Sequence, residues 1–148
     1  MCAAVMTGVE SAMNASCDGE LAIDTERDIV EARRMARELA MQAGFGCTDV
    51  TRIVTVASEM ARNIYRYAGC GVMRWRRLAE ERRAGLELQF VDSGPGIADL
   101  ELALQPGYST AASLGLGLPA TRRLMDEVDI DTAVGRGTRI TLKKWRRT

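Results

Sequence analysis

Three glycine loops and one mid-helix polar patch fall along this chain in a fixed order, and each loop sits where an element begins or ends. The patch is Ser58-Glu59-Met60-Ala61-Arg62-Asn63. The loops are Asp92-Ser93-Gly94-Pro95-Gly96, Gly115-Leu116-Gly117-Leu118-Pro119 and Gly135-Arg136-Gly137-Thr138. The first loop follows the apolar run Leu88 to Val91, the second opens an apolar helical stripe, and the third divides two strand-like runs. Glycines placed this way let backbone approach a ligand or another strand where a Cβ would block it. The chain therefore reads as helices and strands mixed, with glycine loops at their junctions.

The remaining pattern fills in that frame. Leu21-Ala22-Ile23 reads as a strand, ending at Asp24-Thr25, either of which can cap a helix. Ile29, Val30, Met35, Ala36, Leu39 and Ala40 form a helical stripe that stops at Gly44 and Gly46. Thr48 or Asp49 opens a second helix, with Ile53, Val56, Met60, Ile64 and Tyr67 on one side and Gly69 and Gly71 at its end. Val72 to Leu78 and Leu86 to Val91 read as a hairpin around a charged Glu80–Gly85 turn. Asp99 to Leu104 suits a short helix, Tyr108 to Ser113 a loop, and Leu116 to Met125 another helix. Val128 to Ala133 and Thr138 to Trp145 close the chain as a second hairpin. The expected fold is a two-layer α/β sandwich, with a mixed, mostly antiparallel sheet and helices on one face. Residues 1–20 are read as a flexible leader and residues 21–148 as one domain, without internal repeats.

Composition narrows the chemistry. Twenty basic and twenty acidic residues cancel, so no global field draws nucleic acid or an acidic membrane. No apolar run approaches the roughly 18 residues that would cross a bilayer, and the first twenty residues lack the basic leader of a signal peptide. Cys2, Cys17, Cys47 and Cys70 show no CxxC or metal-ligand spacing, which reads as reduced thiols in a cytoplasmic protein. There is no histidine. Imidazole bases, Ser-His-Asp triads, histidine-ligated zinc and autophosphorylation on histidine are all excluded. What remains is chemistry by carboxylates, hydroxyls, backbone amides or a hard cation.

The four segments supply those groups. Asn63 is a poor helix former, costing roughly 0.5 kcal/mol against alanine, and Glu59 lies one turn before it on the same face. An amide oxygen suits Mg²⁺, and the nearby carboxylate can take a proton from a hydroxyl attacking a phosphate. An exposed Glu with a tolerated Asn accounts for that pair equally well. Asp92 at a strand end can accept from the exocyclic amine of adenine, and its loop also has ordinary turn chemistry. Gly115-Leu116-Gly117-Leu118 offers free N–H groups to phosphate at a helix start. It is neither a Walker A loop nor a Rossmann fingerprint. Gly137-Thr138 suits a plain hairpin, or a hydroxyl reaching the purine. Taken singly each segment has a bland explanation; their shared order points to a Mg-ATP site with a base beside it.

The same residues resemble a known group. Glu59-x-x-x-Asn63, Asp92-x-Gly94-x-Gly96, Gly115-x-Gly117 and Gly137-Thr138 are similar to the signatures of GHKL-type (Bergerat-fold) ATP-binding domains. Ser58 to Gly69, Gly107-Tyr108-Ser109-Thr110 and Leu124-Met125-Asp126-Glu127 resemble the RsbT-type switch-protein serine/threonine kinases within that superfamily, over about Leu21 to Trp145. The resemblance implies transfer of the ATP γ-phosphate to Ser or Thr of a STAS-domain antagonist in a partner-switching stress or sigma-factor module. It also implies a PP2C-type phosphatase as a further partner. By position Asn63 would hold Mg²⁺ and Glu59 would be the base. Asp92, Gly94, Gly96, Ile97 and Thr138 would receive the purine. Ser109, Thr110, Gly115, Leu116, Gly117 and Leu118 would border the phosphates beneath a Tyr108–Leu114 lid. That lid lacks the basic residue many sigma-binding relatives carry, which separates this chain from the direct anti-sigma branch. The competing reading is a non-catalytic, nucleotide-dependent anti-sigma or phosphatase-activating module, which would need Asn63 and Asp92 but not Glu59.

Overall fold

A computed structural model describes residues 17–98 and 117–146. In chain order these form β1 (Gly19–Ile23), α1 (Glu26–Gln42), α2 (Cys47–Asn63), a single π-helical turn (Ile64–Ala68), β2 (Gly71–Glu80), β3 (Arg83–Asp92), α3 (Leu118–Leu124), β4 (Glu127–Ala133) and β5 (Gly137–Arg146). The helix expected over 99–104 and the lid over 108–114 lie outside the described residues. So does the leader, except residues 17–20, of which Gly19 and Glu20 belong to β1.

The strands stand in the order β1-β2-β3-β5-β4, and every neighbouring pair is antiparallel. Alternation along them sorts the residues by face. Leu86, Leu88 and Phe90 of β3 and Ile140 and Leu142 of β5 join one core with Ala32, Ala36 and Leu39 of α1 and Ile53, Val56 and Met60 of α2. The intervening residues form polar cross-strand pairs on the opposite face: Gln89 Nε2 donates to Thr141 Oγ1 at 3.1 Å, and Lys143 lies 4.0 Å from Glu87. The helices thus pack on one face, giving the expected two-layer sandwich. The expected mixed sheet is antiparallel throughout its described strands.

Local chemistry sets the element ends. Thr25 caps α1 through a reciprocal box: its hydroxyl accepts from the Asp28 amide while Asp28 Oδ2 accepts from the Thr25 amide. A bond from the Asp24 amide, with those from Thr25, holds the Asp28 carboxyl below its ordinary value. Helix α2 starts at Cys47 behind Gly46, earlier than a Thr48 or Asp49 cap would allow. Asp49 instead lies inside the first turn, where its charge suits the positive end of the helix and pairs with Arg52 at 3.1 Å. The β2–β3 turn is tighter than expected, with only Glu81 and Arg82 between strands. Glu80 and Arg83 close it at 2.9 Å, and Arg83 stacks 3.6 Å from the Trp145 ring centre. Cys17 and Cys47 take no part in a disulfide, as expected, but Cys70, expected to be a reduced thiol, is disulfide-bonded, a pairing that chain spacing cannot reveal. No helix among the described residues is long and apolar enough to cross a membrane.

Candidate functional site

The α2 helix does not run on to Gly69 as its apolar stripe suggests. After Asn63 it widens by one residue into the π turn, which closes with the Gly69 amide bonding the Ile64 carbonyl at 2.9 Å. π turns inside helices recur at functional sites because they re-aim the side chains around them. Here the turn places Asn63, Ile64, Tyr67 and Ala68 along one wall of a cavity of about 260 Å³. Met60, Phe90, Leu118 and Ile140 supply apolar surface, and Asp92 and Thr138 supply polar groups. Gly96 and Ile97 of the first glycine loop complete the wall. Ligand pockets run to roughly 300–1,000 Å³, so the part of the cavity bounded by described residues is near the lower end of that range.

Two hairpins and the loop are locked together around it. Asp92 ends β3 and faces Thr138 in the β3–β5 register. Its Oδ1 accepts from the Gly94 amide at 2.9 Å, and the Thr138 amide donates to the same carboxyl. The Gly135 amide bonds the Pro95 carbonyl at 2.9 Å, bringing the β4–β5 turn against the loop. Gly96, with φ +78°, passes so close to Ala133 that any Cβ would run into its carbonyl. A residue that sequence reasoning missed makes a further tie: Thr132 Oγ1 accepts from the Ile97 amide at 2.9 Å. Its signal was present in β4, where Val128, Ile130 and Thr132 alternate on one face and the third position breaks the apolar series.

Burial pushes the Asp92 carboxyl above its ordinary 3.8, partly offset by the Gly94 and Thr138 amides. The sign follows from that direction. The fold favours the neutral acid, so this group's contribution to stability is present below 3.8 and lost as pH rises through the raised value. Recognition of an amine has the opposite preference, because an ionised carboxylate is the stronger acceptor. ADP affinity, followed by calorimetry while pH is lowered from neutrality, should therefore begin to fall before an ordinary aspartate would titrate. Asp92→Asn, which has no carboxyl to titrate, should bind ADP weakly at every pH and show no such limb.

Glu59 lies at the margin of the cavity. Its Oε2 accepts from Arg62 Nη1 at 2.9 Å, a partner the sequence reading did not assign. Its other face meets Gly117, the residue that starts α3 with φ +68°. A Cβ on Gly117 would lie 2.6 Å from Glu59 Cγ and 3.0 Å from Oε1. Glycine is needed there both for its backbone angle and for the carboxylate beside it. Gly117→Ala should cost about 1–2 kcal/mol in backbone strain and displace Glu59, seen as a lower melting temperature together with a larger loss of turnover. Among the expected site residues, the structure thus brings Asn63, Asp92, Gly96, Ile97, Leu118 and Thr138 to one cavity, with Gly94 bonded to Asp92 and Glu59 against Gly117. Ser109, Thr110, Gly115 and Leu116 lie outside the described residues.

The cavity lies between the end of the β3–β5 strands and the Asn63-bearing helix. The chain belongs to the histidine kinase-like ATPase domain family, which matches residues 22–144. Its relatives narrow the class. The serine/threonine-protein kinase RsbT of Bacillus subtilis (strain 168) is 46% identical over 125 residues, covering 84% of this chain and 94% of the relative. An anti-sigma F factor of Geobacillus sp. (strain WCH70) is 33% identical over 104 residues, covering 66% of this chain and 70% of that protein. Two solved structures share the fold. The RsbU and RsbW domains of Rv1364c from Mycobacterium tuberculosis superpose with a TM-score of 0.58 at 20% identity, covering 88% of this chain and 34% of that one. The SiaB-SiaC complex from Pseudomonas aeruginosa gives 0.53 at 12% identity, covering 93% and 95%. The chain is an ATP-dependent protein serine/threonine kinase.

Proposed function

We propose that the kinase transfers the γ-phosphate of ATP to a serine or threonine hydroxyl of a STAS-domain antagonist, within a cytoplasmic partner-switching module. The observation that carries this reading is the position of Glu59. It lies one helical turn before the cavity-lining Asn63, with its carboxylate against the residue that begins α3. Adenine would enter the cavity with its amine toward Asp92, which leads the phosphates out past Asn63 toward Gly117. An acceptor hydroxyl arriving there meets Glu59 as its proton acceptor. Arg62 holds Oε2 and leaves Oε1 on the Gly117 side.

The donor set fits Mg²⁺. No group of three or more Cys, Asp or Glu residues gathers into a metal cage among the described residues, and on the α2 side the cavity is lined by one side-chain amide, that of Asn63. Mg²⁺ favours such sites, keeping waters and taking the remaining ligands from phosphates. When bound it neutralises charge on the phosphate oxygens; Asn63 would hold it. The protein's own share is positioning and electrostatics rather than covalent chemistry. The reading takes residues 21–148 as the kinase domain, residues 1–20 as a leader, and a PP2C-type phosphatase as the partner engaged after the antagonist is released.

The test is transfer of γ-labelled phosphate from ATP to a purified STAS-domain antagonist, with Glu59→Gln alongside. Label on the antagonist, lost in the variant, supports the kinase reading. A complex that forms with Mg-ATP and never acquires label would instead make the chain a nucleotide-gated binding module.

A further inference from the structure

Thr132 has no role in the phosphate chemistry above, yet three polar contacts converge on its hydroxyl. The Ile97 amide donates to Thr132 Oγ1 at 2.9 Å. The Gly137 carbonyl oxygen lies 3.2 Å away and Thr138 Oγ1 lies 2.9 Å away. A threonine hydroxyl has one proton and two lone pairs. An amide can only donate and a carbonyl can only accept. One assignment satisfies all three contacts: Thr132 gives its proton to Gly137, and its lone pairs take the Ile97 N–H and the Thr138 O–H. The Thr138 proton is then committed away from the cavity. Thr138 shares the sheet face of Ile140 and lines the same cavity, so with its proton committed to Thr132 its hydroxyl can act toward a ligand only as an acceptor. Asp92, its register partner, also presents an acceptor. The polar end of the cavity is thereby two acceptors side by side.

We propose that Thr132 is a specificity-determining positioning residue: it fixes Thr138 as an acceptor and so selects adenine over guanine. Adenine offers an amine to such a pair. Guanine offers a carbonyl oxygen at that position, which would face two acceptors and lose its own partner. The proposal rests on Asp92 receiving the purine amine, and the experiment separates the two.

Direct binding of ADP and GDP to the purified chain measures the preference. Thr132→Val keeps the shape, removes the hydroxyl and frees the Thr138 proton to turn inward. The ratio of ADP to GDP affinity should fall by roughly 10-fold, the worth of one hydrogen bond made or lost, mostly through tighter GDP. Thr132→Ser should restore the wild-type ratio. Adding Thr132→Val to Thr138→Val should leave the ADP-to-GDP ratio where Thr138→Val alone puts it, because Thr132 sets that ratio through Thr138, whereas loss of the Ile97 tie should weaken both nucleotides alike; where Thr132→Val alone folds poorly, Thr138→Val tests the ratio by itself. An unchanged ratio in folded Thr132→Val, or a further fall in the double variant, overturns the proposal. Asp92→Asn tests the underlying reading: loss of ADP binding supports it, and undiminished ADP binding rejects the Asp92 assignment whatever Thr132 does.

Discussion

Replacing Glu59 by glutamine is expected to stop phosphate transfer while leaving Mg-ATP binding unchanged. A positioned general base supplies about 100- to 10,000-fold in rate, so turnover should fall by that factor with no matching change in nucleotide affinity. The substitution is conservative in the ways that matter for geometry. The glutamine oxygen can still accept from Arg62, which lies 2.9 Å from Glu59 Oε2 and is paired with it across one turn of α2. The side chain still fits against Gly117. What disappears is the ability to accept a proton. Single-turnover transfer to the STAS-domain antagonist, with ATP affinity measured separately, checks both halves. Transfer at the wild-type rate would remove Glu59 from the chemistry; a parallel loss of binding would make it a structural residue of the cavity.

Arg62 belongs in the same argument. Glu-to-Arg pairs one turn apart are common on helix surfaces and contribute only about 0.2–0.5 kcal/mol. Here, however, the pair holds one oxygen of a carboxylate whose other side rests on Gly117, the residue that caps the start of α3. Its importance is orientation, and nothing in the spacing E-x-x-R distinguishes such a pair from an ordinary solvated one.

That distinction separates what was legible in the sequence from what was not. The strands were readable because alternation survives in the sequence: Leu86, Leu88 and Phe90 must share a face whatever they pack against. The glycine loops were readable because Gly96 and Gly117 need positive φ, and few residues substitute there. The π turn after Asn63 was not. Ile64-Tyr65-Arg66-Tyr67 continues a plausible helical stripe, and the wider turn depends on tertiary packing. A Cβ on Gly94 would sit 2.6 Å from that of Ala68, so the loop presses directly on the turn. Thr132 was missed for a similar reason. Its three contacts reach Ile97, Gly137 and Thr138, and only the hairpin register brings these together. The Gly46 start of α2 was missed because Thr48 and Asp49 are better caps in isolation. Local propensity lost there to the path of the chain around Phe45, which is buried in the core.

Asn63→Ala should leave the fold intact and remove most of the magnesium-dependent affinity for ATP. Alanine is favoured over asparagine in a helix by roughly 0.5 kcal/mol, so α2 itself does not require the amide. The amide's value lies in its position, at the last residue of α2 and on the cavity wall. No acidic cluster among the described residues offers a substitute ligand. Removing it should weaken Mg-ATP binding by roughly 100-fold or more, about 2.8 kcal/mol at 1.4 per tenfold. Binding of ATP with the metal chelated should differ little between variant and wild type, because the substitution leaves untouched Asp92 and Thr138, the residues proposed to receive adenine. The informative quantity is therefore the ratio of affinities with and without Mg²⁺, measured beside a thermal melt. A collapsed ratio at an unchanged melting temperature assigns the metal to Asn63. An unchanged ratio would move it elsewhere, and would leave Glu59 with no metal-bound phosphate one turn away on which to act.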